Sequence, residues 1–171
     1  EQHVVLISGT AGAGKSAVGH YVAQHYPYVL IDGDAISRLV NHRAKEDPSS
    51  TRTEYLCHTD VIRAMLVTLG LGYHVVVAYV IQLPDLPRYT DALAPFVLRT
   101  LTPSRAVCLQ RDLQRPCWTA GPEYVDQWYD EFQATRQNHP SWCIDTSAET
   151  VEETVARHFQ ALLMQQSRRA T

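Results

Sequence analysis

The run Gly9-Thr10-Ala11-Gly12-Ala13-Gly14-Lys15-Ser16 satisfies the pattern G-x-x-x-x-G-K-[ST] at every fixed position. Glycines let the backbone turn tightly enough for consecutive N–H groups to face inward on an anion, and a helix opening behind them adds the positive end of its dipole. Lys15 then belongs on the outer phosphates of a nucleotide and the Ser16 hydroxyl on Mg2+. The alternative, a glycine turn with a surface lysine, is disfavoured by what flanks the loop. Asp32-Gly33-Asp34 is a second stretch with chemistry in it, and Arg111 with Arg115, four residues on, is a third.

These residues need elements to hold them. Val4 to Ile7 is an unbroken apolar run of the kind a buried parallel strand requires, and Ala17, Val18, Tyr21 and Val22 carry helix spacing, so the loop lies between strand and helix. Tyr28 to Ile31 predicts a second strand that closes on the two carboxylates. In open parallel sheets ligands gather beyond the carboxyl ends of the strands, which places Asp32 and Asp34 on the loop's edge. Either one is also a good cap for a helix from Ala35 to about Arg43. Turn formers at 45–50 predict a loop, and the spacing of Tyr55, Ile62, Leu66 and Leu69 a helix over 51–69.

Val75 to Ile81 predicts strand three, 88–94 a short helix, Phe96 to Leu101 strand four, and 104–115 a helix with Ala106, Leu109 and Leu113 as its apolar face. A helix over 123–137, a short strand at 142–145 and a final helix follow, the last with Thr146 and Glu149 as a capping box and an apolar face of Val151, Val155, Phe159 and Leu162. Alternating strands and helices demand parallel pairing through crossovers: an α/β fold with a five-stranded sheet covered on both faces.

The chain has 171 residues, enough for one domain whose core needs no staples, and we read 1–171 as a single domain. A net charge of −3 speaks against a nucleic-acid-coating protein. Cys57, Cys108, Cys117 and Cys143 have no metal-ligand spacing and read as free thiols in a reducing cytoplasm. No apolar run reaches membrane-spanning length, and no signal peptide precedes the first strand, so a soluble protein is expected.

Gly9 to Ser16, Asp32-Gly33-Asp34, the run Cys108 to Arg115, and Ile144-Asp145-Thr146-Ser147 occur here in the order that marks the small P-loop kinases. Across nearly its whole length the chain resembles shikimate and gluconate kinases, adenylylsulfate kinase, chloramphenicol phosphotransferase and polynucleotide-kinase-like enzymes. The resemblance implies a three-layer P-loop NTPase fold with strand order 2-3-1-4-5 and a lid at about 115–138. It implies ATP and Mg2+ as cofactors, with the phosphoryl group passing to a hydroxyl of a small molecule, a metabolite or an antibiotic-like natural product. Asp34 matches the acceptor-side aspartate and Asp32 a carboxylate that holds Mg2+ through water. Arg111 matches a cation stacked on adenine, Arg115 one reaching the transferring phosphates, and Thr146 the backbone passing the adenine edge. Arg38, Tyr55, His58, Tyr79 and Gln82 fall on elements near the same edge and are the candidates for an acceptor pocket; His58 reads equally as a solvated helix histidine.

Two departures stand out. Several relatives end the third strand with an aspartate where this chain has Ala78-Tyr79-Val80, and Gln82-Leu83-Pro84 replaces the shikimate-kinase glycine run, which argues against shikimate as acceptor. Other readings stay open: a nucleotide or nucleoside kinase using Arg38, Arg43, Arg52 and Arg63 on an acceptor phosphate, and a nucleotide-binding protein without turnover. The absence of N-K-x-D argues against a GTPase switch. The stripe Tyr124, Trp128, Phe132 reads as packing rather than as a base-stacking platform.

Overall fold

The computed structural model describes residues 2–46, 53–93, 95–116 and 119–167, and their side chains outside 40–56 and 165–167. The chain runs β1 (Val4–Gly9), α1 (Lys15–His25), β2 (Tyr28–Asp32), α2 (Gly33–Glu46), α3 (Thr53–Gly70), β3 (His74–Ala78), α4 (Leu86–Ala92), β4 (Val97–Leu101) and α5 (Arg105–Leu113). It continues with α6 (Pro122–Glu131), α7 (Gln133–Asn138), β5 (Cys143–Ile144), α8 (Val151–His158) and α9 (Gln160–Ser167). The strands form one sheet in the order β2-β3-β1-β4-β5. Every pairing is parallel, with Leu6 opposite Val77 on one side and Leu98 on the other.

β1 is central, and all six of its residues are buried. Its alternation divides the core. Val4 and Leu6 pack with Val75 and Val77 against Val61 and Met65 of α3 and Tyr89 of α4. Val5 and Ile7 pack with Val76 against Val18 and Val22 of α1, Val155 of α8, Leu163 of α9 and Phe159 between those two helices. A strand buried on both faces cannot alternate polar and apolar, which is why its sequence is a continuous apolar run.

Several boundaries differ from the sequence reading for identifiable reasons. β3 stops at Ala78 because the next residue turns its ring beneath Gly33; the Tyr79 N–H still donates to the Ile7 carbonyl at 3.1 Å. Ser8 holds the departing chain, accepting from the Ile81 N–H at 2.9 Å and donating to its carbonyl at 2.7 Å. The capping box at α8 is Thr150 with Glu153, not Thr146 with Glu149. Thr146 is buried against Arg111, and Glu149 is engaged by Thr154, Arg157 and His158. α5 buries Cys108 and Asp112 rather than the expected face, and Leu113 is left 71% exposed. α2 runs on to Glu46, so Lys45 and Glu46 are helical rather than part of the expected loop, and 47–52 lie outside the described residues. Cys57, Cys108 and Cys143 are free, and Cys117 lies outside the described residues.

Candidate active site

Loop 9–14 leaves β1 and feeds α1. Gly9, Gly12 and Gly14 hold φ of +139°, +74° and +96°, a region other residues enter only at a cost. Space imposes glycine as well: a Cβ on Gly12 would stand 2.1 Å from the Cys108 carbonyl oxygen, and one on Gly9 2.5 Å from that of Leu101. The loop therefore lies directly on the backbone of α5 and the end of β4. Lys15, 5% exposed, opens α1 and donates its Nζ to the Thr10 carbonyl at 3.0 Å. Burial pushes its pKa below 10.5, while the charges of Asp34 and, more weakly, Asp32 favour the ammonium and that of Arg115 opposes it. Lys15, Asp32, Asp34 and Arg115 thus share one electrostatic neighbourhood.

β2 delivers the carboxylates. Asp32 pairs with Ala78 at the end of the sheet, and its Oδ1 accepts the Asp34 N–H at 2.9 Å, so one oxygen works as a cap for α2. Among the described residues its other oxygen, and the whole Asp34 carboxylate, face no protein donor. Hydroxyl and carboxylate oxygens are the hard donors that Mg2+ takes, so Ser16 and Asp32 suit it once nucleotide phosphates complete the shell. No group of three His, Cys, Asp or Glu side chains poised for a metal exists among the described residues.

Around Gly33 and Tyr79 the surface is built from side chains. Tyr79 is buried with its ring against Gly33, where a Cβ would approach its Cγ and Cδ2 to 2.2 Å. Burial first, then Cys57, pushes its phenol well above the usual 10, and a hydrogen bond with Ser37 opposes this, so Tyr79 stays a neutral hydroxyl. His58 is buried rather than solvated. Its Nδ1 lies 2.9 Å from the Tyr89 hydroxyl, its Nε2 3.4 Å from Asp85 Oδ2, and its ring 5.0 Å from that of Tyr79. Asp85 Oδ2 also accepts the Gln82 N–H at 3.0 Å, and the Gln82 side chain donates to Glu131 at the end of α6. Arg38 is exposed one turn beyond Asp34, and the Tyr55 side chain lies outside the described residues.

Arg111 ties the third side together, donating to Ala13 O at 3.3 Å and to Thr146 O at 2.9 Å, so loop 9–14 and the β5–α8 connection meet at its guanidinium. α5 ends at Leu113, which leaves Arg115 just beyond it with Nε 3.5 Å from Asp112 Oδ1. α6 returns over the loop, with Val125, Ala11 and Cys108 in one apolar cluster. Phe132 is buried and Tyr124 exposed, with the Trp128 ring 5.6 Å from that of Tyr124. Asp85, Tyr89, Asp112 and Glu131 escaped the sequence reading. Asp112 alone left a trace, a carboxylate one turn from Cys108 on a helix whose buried side had been placed elsewhere.

No protein-family profile matches the chain. The gluconokinase of Sinorhizobium meliloti 1021 is similar in structure, with a TM-score of 0.70 at 18% identity over 99% of this chain and 98% of that one. The tunicamycin resistance protein of Deinococcus radiodurans gives 0.67 at 14% identity over 99% and 96%. In sequence, a cytidylate kinase of Shewanella amazonensis is 35% identical over 63 residues, 34% of this chain but only 27% of the length of that relative. No helix among the described residues is long and apolar enough to cross a membrane. Strand order, phosphate loop and these likenesses agree: the chain has the fold of the small P-loop kinases.

Proposed function

We propose that the protein is an ATP-dependent kinase that moves the γ-phosphoryl group to a hydroxyl of a small molecule. One observation carries the reading: Asp34, a half-buried carboxylate with no hydrogen-bond donor among the described residues, lies close enough to the buried Lys15 of the phosphate loop for its charge to act on it. Loop amides and Lys15 hold the phosphates of ATP. Ser16 and Asp32 hold Mg2+, which when bound offsets charge on the phosphoryl oxygens. Asp34 accepts the hydrogen bond of the acceptor hydroxyl and takes its proton as that oxygen bonds to phosphorus and ADP leaves. Arg115, at the root of a lid spanning 115–138, lies over the transferring group, and Arg111 with Thr146 borders the adenine. Gln82 and Arg38 edge the acceptor pocket, while Tyr79 and His58 form the wall behind it.

A phosphate acceptor would need clustered arginines, and Arg63 instead pairs with Asp60 at 3.1 Å while 71% exposed. Arg43 and Arg52 lie outside the described side chains. The gluconokinase and the tunicamycin resistance protein lend support to a sugar-like metabolite or natural product. The short cytidylate kinase match favours a second reading, transfer to a nucleoside monophosphate. Incubation with Mg-ATP and pooled polyols, sugar acids, antibiotics, nucleosides and nucleotides, followed by mass spectrometry, tests both. A neutral hydroxylated compound gaining one phosphoryl group is the expected result. Transfer to nucleoside monophosphates alone would establish the second reading, and ATP binding without any product would favour a protein that has lost turnover.

A further inference from the structure

Asp112 has no part in the chemistry above, yet it is 1% exposed and lies between the phosphate loop and the lid. A carboxylate that deep survives only if its charge and its lone pairs are met. Oδ1 accepts the Ala120 N–H at 3.1 Å and Oδ2 the Gly121 N–H at 3.1 Å. Oδ1 also faces Arg115 Nε at 3.5 Å, and the Arg115 N–H returns to the Asp112 carbonyl at 3.2 Å. The two consecutive amides belong to the turn that opens α6, where Gly121 holds φ +89° just before Pro122. One side chain thus touches both Arg115, just past α5, and the turn that opens α6.

We propose that Asp112 is a positioning residue that locks the Arg115 guanidinium and the 120–121 turn into one geometry, so that lid and arginine reach the phosphates together. The inference rests on the kinase reading. The ion pair at 3.5 Å and the bond from the Arg115 N–H to the Asp112 carbonyl keep the guanidinium beside the carboxylate, and a cation contributes to phosphoryl transfer only from the right position. Asp112→Asn is nearly isosteric, but its Nδ2 cannot accept an amide N–H and does not attract Arg115.

The test measures transfer from Mg-ATP to water, the acceptor always present, for the unsubstituted protein, Asp112→Asn, Arg115→Ala and the double variant. Asp112→Asn is expected to lower kcat by about 30-fold with KM for ATP changed by less than about threefold, the split that marks loss of an interaction made in the transition state. In the Arg115→Ala background the same substitution should cost less than about tenfold, since one of the two groups it positions is gone. Equal losses in both backgrounds, or a raised KM at constant kcat, would overturn the inference while leaving the kinase reading intact. No transfer by the unsubstituted protein, to water or to any compound in the pools, overturns both. Should Asp112→Asn fail to fold, hydrogen exchange on the unsubstituted protein decides: Ala120 and Gly121 amides exchanging at the rate of open loop refute the anchor, and protection of about tenfold or more supports it.

Discussion

The two sides of the proposed site are built by opposite means. On the side proposed for the nucleotide the chain uses backbone: glycines at positive φ lie on the carbonyls of Cys108 and Leu101, and Lys15 itself bonds to a carbonyl. On the side proposed for the acceptor it uses side chains, with Tyr79 filling the space under Gly33 and His58 bracketed by Asp85 and Tyr89. Backbone surfaces answer a ligand feature common to all nucleotides, the phosphates, and so admit few sequences. Side-chain walls answer one acceptor and admit many. Asp34 sits at the junction, positioned by β2 and by the cap that Asp32 makes on α2.

The contrast predicts how each half breaks. Gly12→Ala forces a Cβ onto a carbonyl at 2.1 Å with φ at +74°, so folding or nucleotide binding should fail, and no side-chain change elsewhere should restore it. Lys15→Met should abolish ATP binding measured by calorimetry, yet raise the melting temperature of the nucleotide-free protein, because it removes a buried cation. Lys15 also makes that protein's stability depend on pH. Its folded pKa is lowered, so between that value and 10.5 the unfolded chain holds a proton the folded one has released, and stability climbs as pH rises through the window. Lys15→Met should flatten that slope, and an unchanged slope would mean the ammonium is not strained.

Gly33→Ala is the acceptor-side counterpart and should cost about 1–3 kcal/mol by overpacking. Tyr79→Ala in the same chain should recover part of it, because the ring contacts at 2.2 Å go while the Cβ contact at 2.6 Å stays. Failure of any recovery would erase the distinction between the halves. The smallest effect belongs to Ser147→Ala. The Ser147 side chain, followed by its backbone N–H, holds the exposed Asp145 carboxyl below 3.8. That contribution is present above the unfolded value and is lost as pH falls through the lowered folded one, so the variant should show slightly less acid-dependent unfolding and little else.

The same contrast explains what the sequence made legible. The five-stranded α/β layout and the loop from Gly9 to Ser16 followed from local pattern, in the apolar run of β1, the glycine spacing and the strand ending on Asp32, while the strand order followed from the resemblance to small P-loop kinases. Asp85 and Tyr89 could not be assigned, since what matters is a meeting with His58 across 27 and 31 residues that no periodicity encodes. Asp112 escaped because a surface carboxylate and a buried one look alike until the turn it grips, at 120–121, is folded back on it. The box lies at Thr150 and Glu153, four residues beyond Thr146 and Glu149, because the two pairs have the same spacing and only the burial of Thr146 decides between them.

The central claim is that nucleotide binding and acceptor chemistry are separable at Asp34. Side-by-side measurement of the ATP dissociation constant and the phosphoryl-transfer rate in Asp34→Asn tests it most directly. The account predicts affinity within about threefold of the unsubstituted protein and transfer lowered by about 100-fold or more, the scale of a lost general base. Weakened ATP binding with undiminished transfer would contradict it.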